Sequence, residues 1–175
     1  MPDDEESALV VLVPEVEAVV AQIRSRFDRS AIRGMPAHIT ILYPFVHPDQ
    51  LSVDLASMLG SLVARSRCFR FDLAGVCGFP GVLYLVPDPL EPFDALTREM
   101  VREHPGLQPY GGLVANPVPH LTIAQRPPAG SLSELSRAFI DAWGEAFPVE
   151  CRARDVALAA KQSGRWSIRD RLPLS

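Results

Sequence analysis

Two short stretches of the 175-residue sequence carry residue types suited to proton transfer, at one and the same spacing. Ala37-His38-Ile39-Thr40-Ile41 and Pro119-His120-Leu121-Thr122-Ile123 share a layout: a small residue or proline, then His, an apolar residue, Thr and Ile. Histidine occurs at positions 38, 47, 104 and 120, and two of these four sit in the matching frames. An unperturbed imidazole titrates near neutrality, so a pair can hold one neutral and one protonated ring at once. The neutral ring would take a proton from an attacking hydroxyl or water, and the protonated ring would give one to a leaving oxygen. The Thr40 and Thr122 hydroxyls would donate hydrogen bonds to the non-bridging oxygens of a phosphodiester as negative charge gathers there. Positioned proton transfer contributes about 10²–10⁴-fold in rate. The scheme calls for no metal and no cofactor.

For this chemistry both motifs must lie on strands, where side chains at i and i+2 point the same way. His38 and Thr40 would then share one face while Ile39 and Ile41 fill the other; His120 and Thr122 would oppose Leu121 and Ile123 likewise. The surrounding sequence supplies such strands. Leu9 to Val13 reads as a buried strand stopped by Pro14, and a helix follows from Glu15 to about Phe27 with Val16, Val19, Val20, Ile23 and Phe27 at helical spacing. The first motif strand runs from His38 to about Tyr43. A helix over roughly 49–65 and a strand from Cys68 to Leu73 come next, then a glycine-rich, turn-like stretch from Gly75 to Gly81. Val82 to Val86 is a strand stopped by Pro87, followed by a helix from about Glu91 to Glu103 and a long loop from His104 to Pro119. The second motif strand, His120 to about Gln125, leads to a helix capped at Ser131 with Glu134 as its capping box. Strands near 148–153, 155–161 and 165–170 complete the chain, the last two turning at Ser163-Gly164.

Val10-Val11-Leu12-Val13-Pro14-Glu15 lines up with Leu83-Tyr84-Leu85-Val86-Pro87-Asp88. Each is a strand, a proline stop and an acidic helix start, and each precedes a helix and then a His-x-Thr strand. The repeat is therefore a strand-helix-strand unit used twice, over about 8–45 and 81–126, within a single bilobal domain spanning 1–175. Duplicated units pack about a pseudo-two-fold axis, which would bring the two motif strands face to face across a cleft.

The two motifs and their spacing resemble the 2H phosphoesterase superfamily, whose members include 2′-5′ RNA ligase-like proteins and cyclic nucleotide phosphodiesterases. The resemblance rests on His38-Ile39-Thr40 with its Tyr43-Pro44-Phe45 tail, on Pro109-Tyr110-Gly111-Gly112, and on Pro119-His120-Leu121-Thr122. It implies an α+β, bilobal fold: duplicated strand-helix-strand units, antiparallel sheets lining a central cleft, and helices outside. It implies opening of 2′,3′-cyclic or related phosphodiesters of nucleotides or RNA ends, often to a 2′-phosphate, and in some members 2′-5′ RNA joining. His38 and His120 become the acid/base pair, and Thr40 and Thr122 the phosphate ligands. A non-catalytic nucleotide- or RNA-end-binding module on the same fold is the alternative.

Other residues join these by position. Arg126 has the parity of His120 and Thr122 and could reach the phosphate. Tyr43 and Phe45 follow the first motif and could stack on a nucleobase, since aromatic faces accept any base. Tyr110 sits in a long glycine-containing loop that could cover the substrate. His47 and His104 lie next to prolines and read as exposed and uninvolved. Composition narrows the partners. A net charge of −4 supplies no global basic field for an extended nucleic-acid duplex. The cluster Arg24, Arg26, Arg29 and Arg33 reads as solvated surface. No carboxylate accompanies either motif, so a zinc centre does not fit. Three cysteines without Cys-x-x-Cys spacing, an acidic N-terminal lead and short apolar runs point to a reduced, cytoplasmic protein that is not embedded in a membrane. A monomer is the expected state.

Overall fold

Apolar β-branched runs separated by amphipathic segments build two antiparallel sheets clad with helices. The computed structural model describes residues 5–114, 116–128 and 131–175. The acidic lead at Asp3 and Asp4, Ala115 and the two residues before Ser131 lie outside them. In chain order the elements are β1 (Glu6–Leu12), α1 (Glu17–Phe27), a short α2 (Arg29–Ile32), β2 (His38–Leu42), α3 (Val53–Val63) and β3 (Phe69–Phe79). Then follow β4 (Val82–Asp88), α4 (Glu91–Glu103), β5 (Leu121–Gln125), α5 (Ser131–Trp143), β6 (Val149–Ala153), β7 (Asp155–Gln162) and β8 (Arg165–Pro173). The first sheet has the order β2-β1-β7-β8 and the second β5-β4-β3-β6. Each motif strand is thus an edge strand, paired with the strand that opens its own repeat unit. This is the α+β, duplicated architecture expected from the sequence.

The duplication reaches the level of single residues. Thr40 pairs with Val10 and Leu42 with Leu9, which leaves Ile41 as an extra residue in β2. Thr122 pairs with Tyr84 and Ala124 with Leu83, which leaves Ile123 extra in β5. The same bulge therefore follows both His-x-Thr triplets. A bulge frees backbone groups and bends its strand; here the Ile41 carbonyl accepts a hydrogen bond from the Thr97 hydroxyl of α4 at 3.0 Å. The helices cross over between units: α1 packs against β5, and α4 against β2. Each motif strand is braced by the other unit's helix. One apolar cluster runs through both sheets, joining Leu9, Ile39 and Ile41 to Leu83, Leu121 and Ile123. A smaller one on the opposite face of the first sheet contains Ala8, Val10 and Ala157.

Several local expectations are corrected. The stretch from Gly75 to Gly81 is mostly strand: β3 continues to Phe79, with a register break between Leu73 and Gly75, and only Pro80-Gly81 turns. Strand glycines marked a bulge, not a loop. Pro87 does not end β4, which pairs on to Asp88. The register also shifts the repeat alignment by one residue, because the counterpart of Tyr84 is Val10 and not Val11. Helix α3 starts after Ser52, whose hydroxyl accepts the Leu55 N–H at 3.1 Å. Ser131 is the first residue of α5, and its hydroxyl donates to the Pro128 carbonyl.

Candidate active site

The alternation of β2 and β5 decides which side chains can meet. Ile39, Ile41, Leu121 and Ile123 are buried in the main core, so His38, Thr40 and Thr122 take the opposite face, at intermediate exposure. The edge strands β2 and β5 approach each other. Between them lies a groove of about 540 Å³ lined by His38, Thr40 and Thr122. Its floor is the small-residue face of β1, Ala8 and Val10. His120 stands two residues before Thr122, and its charge is felt at the His38 ring.

Both imidazoles are anchored in one way. The His38 Nδ1 lies 2.8 Å from the Pro36 carbonyl, and the His120 Nδ1 lies 2.7 Å from the Val118 carbonyl. A carbonyl only accepts, so each Nδ1 carries the hydrogen, and Nε2 is left with the lone pair when the ring is neutral. This is the tautomer a general base needs if Nε2 is to take the proton.

Their electrostatics differ. Burial, reinforced by the nearby Arg24 guanidinium, lowers the His38 pKa to about 4, against an opposing pull from the Pro36 carbonyl and Asp28. Burial also lowers the His120 pKa, opposed by the Val118 carbonyl bond. Arg24 belongs to the cluster read as solvated surface, yet it is 1% exposed. Its Nε donates to Asp28 Oδ2 at 2.9 Å and its Nη2 to the Met35 carbonyl at 3.3 Å. Glu17 completes the frame: Oε1 lies 3.9 Å from Arg24 Nη1, and Oε2 accepts the Ala37 N–H at 2.6 Å. The segment leading into His38 is therefore gripped at Met35 by the buried Arg24 and at Ala37 by the partly exposed Glu17.

A family model for the 2′-5′ RNA ligase superfamily matches residues 12–165. The chain belongs to that superfamily. Its members form a branch of the 2H phosphoesterases, as the sequence resemblance implied. The fold is that of Escherichia coli LigT in its crystal structure with 3′-AMP, with a TM-score of 0.60 at 16% identity over 98% of both chains. TT0787 of Thermus thermophilus matches with a TM-score of 0.60 at 20% identity, over 96% of this chain and 97% of that one. A crystal structure described as a phosphoesterase matches with a TM-score of 0.56 at 16% identity, over 99% of each. No curated protein matches the chain.

In this superfamily member the secondary candidates fall into two groups. Tyr43 and Tyr110 line the groove. The Tyr110 N–H donates to the Tyr43 carbonyl, the two rings meet edge-on at 6.5 Å, and the Tyr110 hydroxyl is hydrogen-bonded to Thr40. Tyr110, Gly111 and Gly112 all have positive φ, at 54°, 61° and 76°. Glycine suits such a run, and a Cβ on Gly112 would stand 2.6 Å from Gln108 Oε1. Phe45 is placed elsewhere: it is a core residue, 4% exposed, edge-on to His104 at 5.7 Å. His104 is accordingly half-buried, not exposed as expected. Arg126 takes φ 47° and donates its N–H to the Gly81 carbonyl, which breaks the strand parity; Gln125, not Arg126, lines the groove. His47 is exposed, beside Glu5 at 3.4 Å and Asp49 at 3.5 Å. It is this histidine, and neither motif histidine, that stands with carboxylates at metal-ligand spacing among the described residues.

Some aromatic residues stand near the motif residues without having been placed there from the sequence. Tyr84, opposite Thr122 on the same face, lies 5.2 Å from the His120 ring. Phe79 stacks on Tyr84 at 4.3 Å and meets His120 edge-on at 5.4 Å. Cross-strand pairing alone put Tyr84 beside Thr122, and the misjudged length of β3 hid Phe79. Trp166 joins Tyr43 at 6.5 Å on the far wall; nothing in its local sequence distinguishes it from a packing tryptophan.

Proposed function

We propose that the chain is a metal-independent phosphodiesterase that opens 2′,3′-cyclic or related phosphodiesters of nucleotides or RNA ends by two-histidine acid/base catalysis. The observation that carries this reading is the matched anchoring of His38 and His120, each with Nδ1 tied to a backbone carbonyl, above a groove that also presents Thr40 and Thr122. His38 is the base. Burial and Arg24 keep it neutral, and the proton that the leaving oxygen needs is assigned to His120, whose lowered pKa carries no Arg24 contribution. Water attacks phosphorus as His38 Nε2 takes its proton. The bond from phosphorus to one ribose oxygen breaks, and His120 Nε2 protonates that oxygen. Thr40 and Thr122 hydrogen-bond the non-bridging oxygens through the transition state. Tyr110, bonded to Thr40, closes over the phosphate, and Tyr43 supplies an aromatic face for the base. Substrate is a nucleotide or RNA end, held by a monomer in the cytoplasm. With a ribose 5′-hydroxyl in place of water as the nucleophile, the same proton transfers would break the bond from phosphorus to the 3′-oxygen and leave a 2′-5′ RNA linkage.

A screen of 2′,3′-cyclic nucleotides, with the position of the product phosphate read by NMR, tests the activity. Roles are tested with an activated p-nitrophenyl phosphodiester, whose leaving group needs no proton. On it His120→Ala should lose far less activity than on the cyclic substrate, while His38→Ala loses as much. Equal losses for both variants on both substrates would overturn the assignment. Binding of the cyclic nucleotides without turnover would favour the binding-module reading.

A further inference from the structure

The two motif histidines share an anchor at Nδ1, but one hydrogen bond leaves an imidazole free to rock about it. Where Nε2 points is settled by what packs against the ring, and here the two units differ. Thr40 lies opposite Val10, whereas Thr122 lies opposite Tyr84. The small cluster on that face of the first sheet is Ala8, Val10 and Ala157. In the second sheet Tyr84 is paired with Cys77 of β3, and Phe79, two residues further on, shares that face. A pair of rings results beside His120. Phe79 and Tyr84 stack at 4.3 Å with 24° between their planes. The His120 ring lies 5.4 Å from Phe79 at 85° and 5.2 Å from Tyr84 at 63°. Crossed arrangements of this kind are preferred by aromatic rings, and they fix orientation as well as distance. Core packing does not account for either ring: both lie outside the two apolar clusters, Tyr84 buried and Phe79 36% exposed. The hairpin carrying Phe79 is also tied to the motif strand. It turns at Pro80-Gly81, and the Gly81 carbonyl accepts the Arg126 N–H at 2.6 Å, from the left-handed residue that follows β5.

We infer that Phe79 and Tyr84 are positioning residues for His120: their stacked rings hold the imidazole so that Nε2 faces the leaving oxygen. This rests on the phosphodiesterase reading and gives its acid a support unlike that of its base, which has the Arg24 guanidinium nearby. Neither ring carries a proton in the reaction. Misplacing a reacting group by about 1 Å costs up to about 10²-fold, so an imidazole left to rock slows the reaction without removing the acid.

The test is Phe79→Leu, with Phe79→Tyr as the conservative variant. On adenosine 2′,3′-cyclic phosphate, whose leaving oxygen needs a proton, Phe79→Leu should lower kcat about 10–10²-fold and leave KM within about twofold of wild type. On an activated p-nitrophenyl phosphodiester, whose leaving group needs none, it should lose less than about threefold. Phe79→Tyr, which keeps the ring, should recover most of the loss on the cyclic substrate. Damage to the fold or the groove would lower both substrates alike. Equal losses on the two, or an undiminished kcat on the cyclic one, would therefore overturn the assignment. A second measurement needs no turnover: 13C relaxation of the His120 ring should give an order parameter near about 0.85 in the wild type and below about 0.6 in Phe79→Leu. Should the wild type open neither substrate, the phosphodiesterase reading fails by itself, and relaxation decides the positioning role. A loss of order at the His120 ring in Phe79→Leu supports it, and equal order parameters overturn it.

Discussion

At the scale of single residues, two histidines share one backbone anchor and one direction of shift: burial lowers the pKa of both, and at His38 the Arg24 guanidinium adds to it. His38 has Arg24 at its back, and the downward shift of its pKa from 6.5 to about 4 carries a stability consequence. A histidine with a lowered folded-state pKa binds more protons unfolded than folded between those two values, so its contribution is complete above pH 6.5. It is lost as pH falls from 6.5 towards about 4. Urea unfolding should show stability declining through this window, with a smaller decline in His38→Asn. An identical pH dependence in the variant would show that His38 is not held neutral. The sequence displayed His38, Thr40, His120 and Thr122 because their spacing repeats. It could not display Tyr84 or Phe79 beside His120, whose places depend on cross-strand register and on where β3 ends. Nor could it show that Phe45, named for following the first motif, packs in the core, or that Arg126, named for its parity, sits at a left-handed backbone turn.

At the scale of elements, the segment from α1 to β2 is a scaffold for one imidazole. Arg24 reaches Met35, Glu17 reaches Ala37, and Asp28 accepts from both Arg24 and the Ser30 N–H that opens α2. Removing one partner of a buried ion pair strands the other, at a cost of about 3–5 kcal/mol. Arg24→Met should therefore lower the unfolding free energy by about that much. The double variant Arg24→Met/Asp28→Asn should recover part of the loss by removing the stranded carboxylate. In the double variant the acid limb of the kcat/KM profile should move to higher pH. The charge that lowers the His38 pKa is then gone, along with the opposing and weaker Asp28 charge; Glu17, His120, Arg29, Arg33, Lys161 and Glu6 remain around the groove. An unmoved limb in a folded double variant would show that Arg24 only braces the fold. Helical periodicity predicted α1 well, but four arginines in ten residues look like surface in a sequence. Only the packing of α1 against α2 and β5 shows which of them is enclosed.

At the scale of the molecule, the chain makes one site from two copies of a small unit. Each copy supplies a bulged edge strand with a His-x-Thr triplet, and each copy's helix braces the other's strand. Neither half holds both motif histidines, and the crossed helices make the halves interdependent. The duplication itself was legible in advance, since the strand-proline-helix frame recurs with its motif; the bulges and the crossed helices were not. The one-residue offset between Val10 and Tyr84 was not, because β4 pairs through Pro87 where β1 stops before Pro14. If the duplicated strands form a single acid/base device, the histidines must fail together. The direct measurement is kcat/KM on a 2′,3′-cyclic phosphodiester for the wild type, His38→Ala, His120→Ala and the double variant. Each single variant should lose about 10²–10⁴-fold, and the double should lose little more than the worse single, as for residues that act as a unit. Full activity in either single variant, or losses that multiply in the double, would contradict a paired mechanism.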